Sequence, residues 1–165
     1  MTAHERAGTP KREHVYLLWN GELNIEAPPG AVWPHVLNYP EWQAFSIAQH
    51  VEGERHQEGE VVLLKKIEAG FDFPPYYART IKVDPERRII WKTYGHESSE
   101  MEFFGIVEFV LKETSRGTRF NYNILYEFVM EGSKEEVEEF RQQQFASSQA
   151  VFDSIFPKLK ALAEN

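Results

Sequence analysis

The residues of this sequence that could take part in chemistry are hydroxyl and amide groups set among aromatic side chains. The stretch FNYNILYEF, residues 120–128, places Phe120, Tyr122, Ile124, Tyr126 and Phe128 at alternate positions. In an extended strand these residues share one face. Because a buried phenol needs a hydrogen-bond partner, Tyr122 and Tyr126 indicate either a partly polar cavity or a core that satisfies both hydroxyls. Phe120 and Phe128 are interpreted as core residues.

A possible interior cation lies in YYARTIKVD, residues 76–84, where Tyr77 and Arg79 alternate with Ala78 and Thr80. If the set with Tyr77 and Arg79 points inward, the guanidinium needs a carboxylate, a tyrosine or a ligand as its partner. The other register leaves Arg79 in water. Trp91, in RRIIWKTYG at 87–95, is expected to be buried in either register.

Several other chemistries have no support in the sequence. It contains no cysteine, which removes disulfides, thiolate nucleophiles and thiolate metal ligands together. Its six histidines show none of the short spacings typical of metal sites. There is no glycine-rich phosphate loop and no nucleophile elbow. We therefore predict no metal and no cofactor, and we assign no catalytic residue.

Composition indicates one globular domain. The chain has 165 residues, of which 42% are hydrophobic and 14% aromatic. Its net charge of -8 disfavours a nucleic-acid partner, because no basic surface is available to neutralise phosphates. No apolar run approaches the roughly 20 residues that cross a bilayer, and the polar start lacks the apolar core of a signal peptide. We expect a soluble cytoplasmic protein with a flexible tail at 1–13 and a single domain at 14–165.

Strand patterns occupy most of the chain. A first strand at 15–25 is stopped by APPG, and two short helical segments follow before residue 46. A short strand is predicted near 50–54. The longer strands are predicted at 61–68, 76–84, 87–95, 101–113 and 118–130. DPER and SRG are turn sequences between neighbouring strands, and such short connections predict an antiparallel sheet.

The C-terminal segment has a helical pattern instead. Ser133 and Glu136 form a capping box, and apolar residues then recur at helical spacing to about residue 163. Phe140, Gln144 and Ser148 lie on or beside the apolar face. Pro157 predicts a kink or a break in the last part of the helix.

Residues 25–42, IEAPPGAVWPHVLNYPEW, resemble the opening of START-like proteins. This superfamily contains Bet v 1-type ligand binders, polyketide cyclase/dehydratase-like proteins and Aha1-type domains. The resemblance implies an α+β helix-grip fold, in which a seven-stranded antiparallel sheet wraps around a long C-terminal helix and two short helices follow the first strand. The positions that match the family pattern are Ile25, Ala27, Pro28, Val32, Trp33 and Trp42.

The resemblance also implies a cavity between the sheet and the long helix. The predicted ligand-binding set is Phe45, Tyr77, Arg79, Trp91, Phe103, Tyr122, Tyr126, Phe140, Gln144 and Ser148. Three functions remain open: binding of an aromatic, polyketide-like or lipid molecule, a cyclase or dehydratase reaction in the same cavity, and protein binding by an Aha1-type domain with a filled interior. In the enzymatic alternative Arg79, Tyr122 or Tyr126 would donate hydrogen bonds. Both a monomer and a homodimer are compatible with the sequence.

Overall fold

The computed structural model describes residues 11–66, 74–97 and 102–165. Seven antiparallel strands form one sheet in the order β1-β7-β6-β5-β4-β3-β2. The strands are β1 (Arg12–Ile25), β2 (Phe45–Glu52), β3 (Val61–Lys66), β4 (Tyr76–Asp84), β5 (Arg88–Gly95), β6 (Glu102–Thr114) and β7 (Gly117–Glu131). This arrangement confirms the predicted seven-stranded antiparallel sheet.

The helices also follow the predicted order. Helix α1 (Pro29–Leu37) and a short 3-10 turn (Tyr39–Glu41) separate β1 from β2, and the long helix α2 (Lys134–Glu164) ends the chain. Among the described residues no helix is long and apolar enough to cross a membrane. Strand β1 begins at Arg12, and residues 1–10 of the predicted tail lie outside the described residues.

Local hydrogen bonds explain where the elements begin. The Ser133 hydroxyl accepts a hydrogen bond of 3.1 Å from the Glu136 amide, as the capping box predicts. In the β4–β5 turn the Arg87 amide donates to the Asp84 carbonyl over 3.0 Å. Thr118, at the start of β7, donates its hydroxyl to the Ala27 carbonyl over 2.7 Å, which ties β7 to the end of β1.

Helix α2 continues through Pro157, so the predicted break is wrong, and the predicted kink stays a prediction. Proline removes one backbone hydrogen bond from a helix interior. The loss is tolerated here because the same segment packs on the sheet: Ile155, Phe156 and Leu159 are at most 6% exposed. Pro157 itself lies on the exposed side of the helix.

The main core lies between α2 and the concave face of the sheet. Phe120, Ile124 and Phe128 of β7 are 2% exposed or less, so this face looks inward. Phe120 contacts Phe156 of α2 with ring centres 5.8 Å apart. The convex face instead carries exposed apolar side chains, which we call the convex apolar band: Tyr16, Leu18, Phe104, Ile106 and Leu125, between 39% and 58% exposed.

Candidate ligand cavity

A row of small residues crosses the middle of the concave face. Ala78 of β4 pairs with Thr93 of β5, and Thr93 pairs with Gly105 of β6. The next pair along the row is Gly105 with Tyr126 of β7. Small side chains next to one another leave a depression in a sheet that is otherwise covered by large ones. We call this depression the trough.

Gly105 is required by the close approach of its neighbours. A Cβ atom placed on Gly105 would collide with the Thr93 hydroxyl oxygen and would lie 2.9 Å from the Tyr126 ring. The glycine therefore lets the Thr93 hydroxyl and the Tyr126 ring come together over the centre of the trough.

Aromatic side chains border the trough on both sides. Toward one side, Tyr76 lies 5.8 Å from Phe103, and Phe103 lies 5.2 Å from Tyr126, measured between ring centres. Toward the other side, Trp91 lies 5.8 Å from the Tyr39 ring and 5.3 Å from that of Phe109. The trough is thus a short channel with aromatic walls.

Helix α2 covers the trough and turns it into a cavity. The roof consists of Val151, Phe152, Ile155 and Phe156. A water molecule's centre can occupy about 60 Å³ of the enclosed space, and about 610 Å³ is free of atoms when gaps between side chains and solvent at the mouth are included. The cavity therefore contains free space in this conformation, but that space is narrow.

A second cavity adjoins the first toward the N-terminal half of α2. It is lined by Phe103, Phe128, Gln144 and Ser148, together with five residues that also line the first cavity: Phe45, Tyr76, Tyr126, Val151 and Phe152. Its atom-free space is about 430 Å³. The two cavities therefore lie next to each other and are separated by shared side chains.

Besides the indole N–H of Trp91, the polar side-chain groups of the first cavity are hydroxyls and one amide. They belong to Tyr39, Gln43, Tyr76, Thr93 and Tyr126. Among the described residues the Thr93 hydroxyl oxygen is buried and has no hydrogen-bond partner. Burial raises the pKa of Tyr126 and Tyr39 above the ordinary tyrosine value. The pKa of Tyr76 is also raised, first by burial and then by the nearby Tyr126 and Tyr39 phenols. The three phenols are therefore neutral at physiological pH.

No acidic, basic or histidine side chain is among the described residues that line either cavity. A buried ion without an opposite charge is costly. The cavities are thus suited to an uncharged guest. No group of three or more His, Asp or Glu side chains among the described residues could hold a metal ion.

Six residues of the predicted set line these cavities: Phe45, Trp91, Phe103, Tyr126, Gln144 and Ser148. Phe140 does not line either of them. It packs on Phe128 with ring centres 5.3 Å apart and borders a separate surface depression beside Arg12 and Glu102.

Tyr122 is placed elsewhere on the inner face. Its ring stacks on Phe156 at 4.2 Å, and a Cβ on Gly21 of β1 would collide with its hydroxyl. Burial, and to a smaller extent the charge of Asp153, raises the pKa of the Tyr122 phenol. The phenol points across β1 toward Gly21, and Tyr122 is not among the residues that line the two cavities.

The inward orientation expected for Tyr77 and Arg79 is wrong. The Tyr77 hydroxyl donates to Glu97 over 3.3 Å, and Arg79 donates to Glu52 over 2.9 Å, both on the exposed side. The inner face of β4 consists of Tyr76, Ala78 and Thr80, which are at most 7% exposed. A guanidinium pairs with a carboxylate in water at much lower cost than in an apolar interior.

Sequence reasoning missed Tyr39, Gln43, Tyr76, Ala78 and Thr93 as lining residues, and it also missed the close approach of two lining side chains at Gly105. The small residues Ala78, Thr93 and Gly105 form no recognisable sequence motif, because they are far apart along the chain. Only the strand register brings them into one row. The available signal was Gly105 within the strand pattern MEFFGIVEF, since glycine in a strand often marks a close approach.

Comparison with known proteins gives structural likeness but no sequence match. No protein-family model and no curated protein sequence matches the chain. Among solved structures, an uncharacterized protein from Rhizobium leguminosarum superimposes with a TM-score of 0.64 at 14% identity, covering 93% of this chain and 98% of that one. A norcoclaurine synthase mutant from Thalictrum, in complex with a transition-state analogue, gives a TM-score of 0.61 at 13% identity, covering 93% and 99%.

A second structure of the Thalictrum flavum enzyme, in complex with dopamine and hydroxybenzaldehyde, gives a TM-score of 0.60 at 12% identity, covering 90% of this chain and 87% of that one. At such identities the likeness concerns the fold. Together with the sheet order and the position of α2, it shows that this chain has the helix-grip fold.

Proposed function

We propose that the protein binds an uncharged hydrophobic small molecule, most suitably an aromatic one, in the cavity between the trough and α2. The observation that carries the proposal is the lining: aromatic and aliphatic walls, a few hydroxyls and one amide, with no ionised group among the described residues. Ligand sites are typically apolar spaces with a small number of placed polar groups. A core built only for stability gains nothing from an unpartnered hydroxyl.

The size of the space favours a compact aromatic guest over a long-chain lipid. Only about 60 Å³ is open to the centre of a water molecule, and the walls are flat rings. The similar Thalictrum flavum enzyme was solved with dopamine and hydroxybenzaldehyde, which are also small and aromatic. A lipid or a polyketide-like chain would require the two cavities to join.

The proposal is tested by titration calorimetry with naphthalene and 2-naphthol. We expect micromolar binding, about -8 kcal/mol. Ala78→Leu adds side-chain volume inside the trough and should weaken binding at least tenfold. Arg79→Ala, one residue away on the opposite face, is the matched control and should bind as the wild type does. Absence of binding, or equal binding by Ala78→Leu and wild type, would contradict the proposal.

A cyclase or dehydratase reaction in the same cavity is less well supported. Proton transfer requires a group whose pKa lies near the working pH. The described lining offers phenols whose pKa is raised, and these can donate hydrogen bonds but are poor bases. Binding without turnover is therefore the function that the lining supports best.

The convex apolar band is the observation that favours a protein-binding domain as a second candidate. Exposed apolar patches of this kind often mark contact surfaces. Light scattering of wild type and of Leu18→Lys, which places a charge in the band, tests this alternative in the form of self-association. A dimer that Leu18→Lys dissociates, combined with no ligand binding, would favour protein binding over the cavity.

A further inference from the structure

We infer that Thr93 determines the specificity of the cavity: the preferred ligand carries one uncharged oxygen, a carbonyl or a hydroxyl, that pairs with the Thr93 hydroxyl, and carboxylates are rejected. This inference rests on the proposed ligand-binding function and specifies its ligand class.

Thr93 is buried, and its hydroxyl oxygen has no hydrogen-bond partner among the described residues. Its side chain is 5% exposed and lines the first cavity. Its neighbours in the sheet row, Ala78 and Gly105, have no polar side-chain atoms. Valine has almost the same shape as threonine and would fill this position without burying a polar group. The hydroxyl is thus explained by a partner that enters the cavity.

Tyr126 fixes where the aromatic part of the ligand lies. The Tyr126 ring and the Thr93 hydroxyl both lie close to the point that a side chain on Gly105 would occupy. Because Tyr126 and Thr93 both line the first cavity, a ring packed against Tyr126 can place an attached oxygen against Thr93. Since a threonine hydroxyl both donates and accepts, either a carbonyl or a hydroxyl of the ligand satisfies it.

The charge of the surroundings decides between a neutral oxygen and a carboxylate. The described lining contains no lysine, arginine or histidine to pair with an anion. The whole chain carries a net charge of -8, which adds to the cost of bringing an anion into the interior. An amine would be excluded equally, because no carboxylate is among the described lining residues.

The test compares three ligands of one shape at pH 7: naphthalene, which has no oxygen, 2-naphthol, which is uncharged, and 2-naphthoate, which is an anion. Wild type should bind 2-naphthol about 2- to 12-fold more tightly than naphthalene, the range expected for one hydrogen bond. Binding of 2-naphthoate should be at least 100-fold weaker than that of 2-naphthol.

Two variants of Thr93 test whether this residue is responsible for the preference for 2-naphthol. Thr93→Val should reduce the preference for 2-naphthol over naphthalene, whereas Thr93→Ser should keep it. The unfolding midpoint of Thr93→Val in urea should equal or exceed that of wild type, because an unpartnered hydroxyl is removed.

The outcomes separate the two proposals. If naphthalene binds but 2-naphthol gains nothing, or if Thr93→Val keeps the gain, the role of Thr93 is overturned while the cavity remains a binding site. A marked loss of stability in Thr93→Val would show that the hydroxyl has a structural partner, which also overturns the inference. If none of the three compounds binds wild type, ligand binding itself is wrong.

Discussion

Tyr122 and Tyr126 lie four residues apart on the inner face of β7, and their phenols have different surroundings. Tyr126 borders both cavities, whereas Tyr122 stacks on Phe156 and reaches over Gly21. The aromatic stripe of β7 is therefore neither wholly core nor wholly cavity wall. The surroundings of each tyrosine depend on the residues opposite it, which for Tyr122 are Phe156 of α2 and Gly21 of β1.

This difference predicts that two conservative substitutions affect ligand binding differently. Tyr126→Phe should weaken 2-naphthol binding by about 0.5–1.5 kcal/mol, because its hydroxyl can donate to the ligand oxygen that also pairs with Thr93. Tyr122→Phe should leave binding unchanged, because Tyr122 is outside the described lining. Calorimetry on both variants decides the point, and weaker binding by Tyr122→Phe alone would show that the ligand lies nearer to Gly21.

The buried phenols also predict a loss of stability at alkaline pH. Tyrosine ionises at about pH 10 in an unfolded chain, and burial raises the pKa of Tyr76 and Tyr126 in the folded protein. Above pH 10 the unfolded state loses protons that the folded state retains. Stability should thus be fully present below pH 10 and decline as pH rises beyond it.

Urea unfolding at pH 9 and pH 11 measures this decline. Tyr126→Phe removes one of the shifted groups, so its stability should fall less between these pH values than that of wild type. An equal fall in both proteins would mean that the Tyr126 phenol is open to solvent.

At the scale of elements, β4 shows why part of the site could not be predicted from sequence. Both faces of YYARTIKVD carry a tyrosine, and neither is uniformly apolar. A register shift between Thr80 and Lys82 adds to the ambiguity, because a bulge interrupts the alternation of faces. As a result Ile81 and Lys82 are both exposed.

Elements with a clear pattern were predictable. Turn residues at 84–87 and 115–117 predicted the hairpins. The end of β1 and the Ser133 cap of α2 were also predicted from short local sequence motifs. The inward face of β7 followed from its period of two once the fold was recognised. The trough could not be predicted in this way. Its small residues come from three strands and become neighbours only through the pairing register of those strands.

The inner face of α2 predicts a sharp contrast between neighbouring residues. Ile155 is 6% exposed and packs on the sheet, whereas Ser154 is exposed. Ile155→Ala should cost about 2–5 kcal/mol of unfolding free energy. Ser154→Ala, the matched control, should change it by less than about 0.5 kcal/mol. Similar urea midpoints for the two variants would show that α2 is rotated relative to this description.

Pro157 gives a second prediction for α2. Because proline cannot donate to the carbonyl one turn earlier, Pro157→Ala should restore a helix hydrogen bond at an exposed position. The free energy of unfolding should rise by about 1–3 kcal/mol. A lower thermal midpoint for Pro157→Ala would indicate instead that packing of Phe156 and Leu159 depends on a bend at the proline.

At the scale of the whole molecule, the sheet and α2 together form a space that neither forms alone. The sheet contributes the small-residue trough and its aromatic borders, and the helix contributes an apolar roof. The whole chain has a net charge of -8, but no ionised side chain is among the described residues that line the cavity. The acidic net charge of the chain and the uncharged lining of the cavity both favour neutral guests over anions.

The most direct test of this account is a crystal structure of the protein with 6-bromo-2-naphthol, in which bromine marks the ligand by its anomalous signal. We expect a single strong bromine peak between the trough and α2, with the ligand oxygen within hydrogen-bond distance of Thr93. A peak confined to the convex apolar band, or an interior with no ligand at saturating concentration, would contradict it.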